Sequence, residues 1–173
     1  MTDDPRDFES RLLAHRDRIE RYVATMVADP DAVQDLSQET LRRALAGRDA
    51  LEDPERLGAW VYAIAVNLCR AHLRRAVQTE RSLEFDPSSV RGTVLSSVVR
   101  RESAEALAIA IDRLPILLRE AFVLHVIEGL PYAEIAEITA STVEALHVRA
   151  HRAKGLLRKQ LGSTVDTFWS GGH

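Results

Sequence analysis

Apolar residues recur along this chain at helical spacing, and nowhere do they alternate for long with a period of two. Phe8, Leu12, Ile19, Tyr22, Val23, Met26 and Val27 predict a first helix over 8–28. Asp29-Pro30-Asp31 should stop it, because proline cannot continue the hydrogen-bond ladder and restricts the residue before it. Val33, Leu36, Thr40 and Leu41 form the inner side of a second helix over 32–45, with Asp35, Gln38, Glu39, Arg42 and Arg43 outside. A charged loop, 46–58, follows, and within it Asp53-Pro54 has the form of an N-cap with proline in the first turn. The third helix, about 55–77, turns Leu57, Trp60, Val61, Ile64, Ala65, Leu68 and Leu73 inward and leaves Asn67 and Arg70 off that stripe. Its end carries His72, Arg74 and Arg75, cations suited to the negative pole of a helix.

The period fails over 78–101, where proline, glycine and serines predict a flexible linker, with a short helix in its second half. Helices over 102–113 and 117–127 then flank Pro115, and Glu128-Gly129 closes the second of them. The stretch PYAEIAEITASTVEALHVRAHRAKGLLRK, 131–159, predicts a helix over 132–139, a tight Ala140-Ser141-Thr142 turn and a second helix capped by Ser141 or Thr142. Leu146, Ala150, Ala153 and Leu157 make that helix's buried stripe. Glu144, Val148, His151, Arg152, Gly155, Arg158 and Lys159 face the other way, with His147 at the edge. Basic and small residues in front of an apolar back suit a helix that enters a major groove. The same pattern describes an ordinary amphipathic hairpin with a solvated basic face. The expected architecture is therefore all-α: a helical domain over 1–77, the linker, a helix-turn-helix domain over 102–161 and a disordered tail from 162.

Composition narrows the chemistry. Aromatics are 5% of 173 residues, so the cores are aliphatic. A net charge of -3 argues against a protein that grips nucleic acid over its whole surface. Bases gather locally at 70–81 and 149–159, which suffices for a protein carried to DNA by a larger machine. No apolar run reaches the length of a membrane span, and the acidic N-terminus has no secretory character. The single cysteine, Cys69, rules out an internal disulfide, fits a reducing cytoplasm and is expected as a small buried hydrophobe.

Two separated blocks carry a family resemblance. DLSQETLRRAL (35–45) and AWVYAIAVNLCRAHLRR (59–75) resemble the promoter-melting domain of the extracytoplasmic-function sigma factors of bacterial RNA polymerase. LPILLREAFVLHVIEGLPYAEIAE (114–137) and the VRAHRAKGLL that ends the hairpin resemble the same family's second domain, in the same order. The resemblance implies a non-enzymatic polymerase subunit without a cofactor, working on promoter DNA and leaving room for an anti-sigma partner. It assigns Asp35, Gln38, Glu39 and Arg43 to polymerase binding. It implies that the 46–58 loop and third helix take a single-stranded -10 element. Arg48, Asp49, Asn67 and Arg70 are the candidate base contacts, and His72, Arg74 and Arg75 the phosphate contacts. Trp60 is a candidate stacking platform or a core residue. His147, Val148, His151 and Arg152 fall on the -35 element, with Ser141 and Thr142 offering phosphate contacts at the helix start. Arg149 is expected to pair with an acid as a structural residue.

The chain departs from the family pattern at Ala63 and Val66, where basic residues are usual, and at Glu144 and Val148, where small or polar ones are. These changes bear on affinity and promoter choice rather than fold. They also keep a rival in view, a sigma-like module that binds an anti-sigma partner without reading DNA. An enzyme is the third class: His147 and His151, one turn apart with Glu144 near, have a spacing that can hold zinc, but no convincing third ligand lies nearby and no phosphate loop or nucleophile motif accompanies them.

Overall fold

The structure, a computed structural model, describes residues 5–80 and 98–162. All but the ends of the expected linker, and the tail from 163, lie outside the described residues. Every regular element among the described residues is helical. The order is α1 (Pro5–Ala14), α2 (Arg16–Met26), α3 (Pro30–Ala46), α4 (Leu57–Glu80), α5 (Val98–Asp112), α6 (Ile116–Phe122), α7 (Tyr132–Thr139) and α8 (Val143–Leu161).

The expected first helix is two helices. The chain bends at His15, whose imidazole lies against Gly58; a Cβ there would come within 3.1 Å of His15 Cε1. Asp29 does more than end a helix: its carboxylate accepts from Asp31 N–H and caps α3, with Pro30 in the first turn. Asp53 likewise accepts from Glu55 N–H, over a short 3-10 turn (Pro54–Arg56) that feeds α4. Because α4 continues to Glu80, His72, Arg74 and Arg75 lie inside it and not in its last turn, so the expected benefit from the helix pole does not apply to them.

The first body packs α2, α3 and α4 together, with α1 laid on α2 and α3. Ile19, Tyr22, Val23, Met26, Leu57, Val61, Tyr62, Ala65, Val66 and Cys69 are buried in it. Val66, a departure from the usual basic residue, is therefore a core position. The second body wraps α5, α6 and α7 around α8, whose Leu146, Ala150, Ala153 and Leu157 are all buried. The expected 117–127 helix changes character at its middle: after α6 a single π-type turn (Val123–Ile127) follows, with Glu128 N–H bonded to Val123 O at 2.9 Å. Gly129 (φ +71°) then turns the chain towards α7.

The two expected helical bodies touch each other. α4 packs on α7, and α2 on α5 and on the π-turn. Glu120 and Glu128, both buried, sit in this seam with cations of the first body against them.

Candidate nucleic-acid interface

The helix-turn-helix forms as the spacing predicts. Ala140 takes the left-handed conformation, φ 50° and ψ 49°, and so reverses the chain in one residue. Thr142, not Ser141, is the cap: its Oγ1 accepts from Ala145 N–H at 3.2 Å. Ser141 Oγ instead accepts from Arg149 Nη1 at 3.1 Å. Arg149 is thus structural as expected, but through a hydroxyl rather than an acid.

The outward face of α8 presents Glu144, His147, Val148, His151 and Arg152 to solvent, with Val148 49% exposed. Glu144 lies in the first turn, where its own backbone N–H and the Thr142 hydroxyl hold its carboxyl below the ordinary value. An acid at this point serves the helix start while opposing a phosphate there. His147 is braced: its ring stands 3.9 Å from that of Tyr132, centre to centre, and His125 stacks on the far side of Tyr132 at 3.9 Å. Tyr132 went unsingled in the sequence because its position is that of an ordinary first-turn residue of α7. Among the described residues no three histidine, cysteine, aspartate or glutamate side chains gather as they would around a metal.

The outer face of α3 is equally open. Asp35, Gln38 and Arg43 are exposed. Glu39 is gripped by Arg43 at 2.7 Å and Arg42 at 2.8 Å, and the hydrogen bond from Arg43 is the main reason its carboxyl lies below the ordinary value. Glu39 and Arg43 thus form a pair one helical turn apart, joined by Arg42.

The third candidate group is divided. Arg48 and Asp49 occupy an exposed 3-10 turn (Arg48–Ala50) and pair with each other at 3.3 Å. Asn67, Arg74 and Arg75 are exposed on α4, and His72 is half-buried. Trp60 is half-buried with its indole against Gly47, where a Cβ would lie 3.3 Å from Cζ2, so packing takes at least one edge of the ring. Arg70 is taken: Nη2 and Nε donate to the two Glu120 oxygens at 2.6 and 2.7 Å, and both Nη groups reach Thr139 O at 3.4 Å. Arg70, a candidate -10 contact, is thus paired with Glu120 in this conformation. The signal was present in EAFVLHVIEGL, where two acids stand in an apolar run and a buried acid demands a cation.

Cys69 is fully buried, and burial, reinforced by the charge of Glu120, pushes its thiol up to about 12. A thiol so placed is inert packing, as its position on the helix suggested.

Comparison with known proteins agrees with this architecture. Residues 12–79 match the family model for sigma-70 region 2, and residues 104–157 the model for sigma-70 region 4. The chain is 31% identical over 159 residues to the ECF RNA polymerase sigma factor EcfG of Rhodopseudomonas palustris, covering 91% of this chain and 84% of that one. It is 31% identical to the RNA polymerase sigma factor CarQ of Myxococcus xanthus, covering 90% and 89%. The fold is shared with the sigma factor RpoE of Bartonella quintana, solved in complex with the anti-sigma factor NepR (TM-score 0.76, 24% identity, 91% and 98% coverage). It is shared also with CnrH in complex with the cytosolic domain of CnrY (TM-score 0.64, 24% identity, 89% and 86% coverage). With both family regions present in order, and relatives matching nearly end to end, the chain belongs to the extracytoplasmic-function sigma factors, the subunits that bind core RNA polymerase and direct it to promoters.

Proposed function

We propose that this sigma factor divides its work among three faces. Asp35, Gln38, Glu39 and Arg43 on α3 dock on core polymerase, a mixed-charge face that steers and orients rather than binding greedily. Arg48, Asp49, Asn67 and Arg70, with Trp60 beside them, take bases of an opened -10 element, and His72, Arg74 and Arg75 hold its phosphates. His147, Val148, His151 and Arg152 on α8 read a -35 element from the major groove, and Ser141 and Thr142 approach its backbone. The observation that carries the reading is the joint exposure of Val148, His151 and Arg152 on a helix whose opposite stripe is wholly buried. Val148 suits a thymine methyl and Arg152 a guanine edge or a phosphate.

On this reading the protein has no catalysis of its own and works in the cytoplasm beside the polymerase. No helix among the described residues is long and apolar enough to cross a membrane. The anti-sigma factor NepR holds the similar RpoE, and a partner of that class is open to this chain. The rival, a module that binds such a partner and never reads DNA, is separated by run-off transcription with purified core polymerase: it would give no promoter-specific transcript. In the same assay Arg152→Ala should lower promoter use by about 10-fold or more, the scale of one good base contact, with polymerase binding intact. Equal loss on every upstream sequence would reduce Arg152 to a phosphate contact. Glu39→Lys should impair holoenzyme assembly first, and normal assembly would remove α3 as the docking face.

A further inference from the structure

A column of three rings rises from the π-turn to the outward face of α8. At its base His125 donates from Nδ1 to Leu130 O at 3.0 Å; a carbonyl only accepts, so Nδ1 carries a proton and the plane of the ring is set. Leu130 is tied down in turn, since its N–H donates to Leu124 O at 3.0 Å and its side chain is buried. The Tyr132 ring stacks on His125 at 3.9 Å and 24°, and His147 meets Tyr132 at 3.9 Å and 41°. Two rings cannot share one face at that distance, so Tyr132 is held between the imidazoles. Tyr132 is half-buried and packed against the hydrophobic core, whereas His147 is exposed.

We propose that Tyr132 is a positioning residue for promoter recognition: held on His125, it fixes the His147 ring in the orientation from which that imidazole meets a base edge, an inference that rests on the assignment of His147 to the -35 contact.

The physical need is specific to His147. An exposed histidine turns about two side-chain torsions, and freezing them on binding subtracts from affinity. Stacking freezes them beforehand, with the geometry that aromatic faces and edges favour. Its neighbour on the reading face, Val148, is β-branched and already stiff at its first torsion. Imidazole presents its nitrogens at fixed points of the rim, so the tilt of the ring decides which donor or acceptor of a base it can match. A brace of this kind therefore acts on sequence preference, which ordinary core packing does not.

The test compares full-length Tyr132→Leu, which removes the ring and keeps an apolar side chain, with Tyr132→Phe, which removes only the hydroxyl. In proton NMR of the free protein, ring-current shielding should shift the His147 ring protons upfield in the wild type and Tyr132→Phe, and the shift should vanish in Tyr132→Leu. Holoenzymes reconstituted with core polymerase would then select from a duplex pool randomised over the upstream element. Tyr132→Leu should weaken binding to the preferred sequence by about 3- to 10-fold, the scale of one side chain ordered in advance. It should flatten preference at the same base pair that His147→Ala flattens, and Tyr132→Phe should restore both. In a His147→Ala background Tyr132→Leu should add nothing. If Tyr132→Leu loses its helical circular dichroism, His125→Ala, which removes the base of the column, takes its place in the same cycle. Additive losses, or equal loss on every sequence, would reduce Tyr132 to packing and overturn the proposal, as would His147 proton shifts unchanged by Tyr132→Leu. A wild-type holoenzyme that selects no upstream sequence sinks the functional reading and the brace with it. A selective wild type whose folded Tyr132→Leu variant keeps its preference sinks the brace alone.

Discussion

At the scale of single residues, the strongest local demand falls at Ala140. A residue with a Cβ in the left-handed region costs about 1–2 kcal/mol, whereas glycine visits it freely at the expense of a more flexible unfolded chain. Ala140→Gly should therefore stabilise the protein by about 0.5–1 kcal/mol, seen as a raised midpoint in thermal unfolding. No change would mean that the surrounding contacts had already absorbed the strain. Other single positions were partly legible beforehand. The spacing of Leu146, Ala150, Ala153 and Leu157 named the buried stripe of α8, and all four are buried. Arg70 was not legible in the same way: a residue off the apolar stripe of its own helix points to water unless another element arrives, and here Glu120 arrives.

At the scale of elements, the hairpin α7–α8 depends on its junction more than on helix propensity, since α7 has only eight residues. The Thr142 hydroxyl satisfies one free N–H at the start of α8, and Thr142→Ala should cost about 1 kcal/mol. The loss should appear as faster amide exchange in the first turn of α8, with weaker binding to the upstream element. Unaltered exchange would show that Glu144 alone secures the helix start. Helix order followed from period and caps, and two of the departures are set by neighbouring elements. The bend at His15 is set by the close approach of Gly58 from α4. The π-turn at 123–127 inserts one residue into the helical repeat and swings Glu128 towards α2 and α4. Neither has a local sequence cause; both answer to a neighbouring element.

At the scale of the whole molecule, closure should depend on pH. Burial alone would raise the Glu128 carboxyl, but hydrogen bonds from Arg21 and Tyr62 and the charges of Arg21 and Arg18 outweigh it, and its pKa lies below the ordinary value of 4.5. A depressed folded-state pKa means stability that is complete above 4.5 and lost as pH falls below 4.5 through the folded value. The radius of gyration should accordingly stay constant from neutral pH down to about 5 and rise on further acidification, earlier than helical circular dichroism is lost. Coincident loss of compaction and helix would show that the seam has no transition of its own.

The sequence by itself determined the all-helical class, the two-body order, the helix-turn-helix and the exposed face of α8, because periodicity and capping are properties of one chain segment and its solvent. Only the tertiary structure decided that the bodies close on each other, that Val66 is core, and that Arg70 is bound to Glu120. Those outcomes depend on which distant element removes water from a given face, and a buried carboxylate takes whichever cation the fold brings to it.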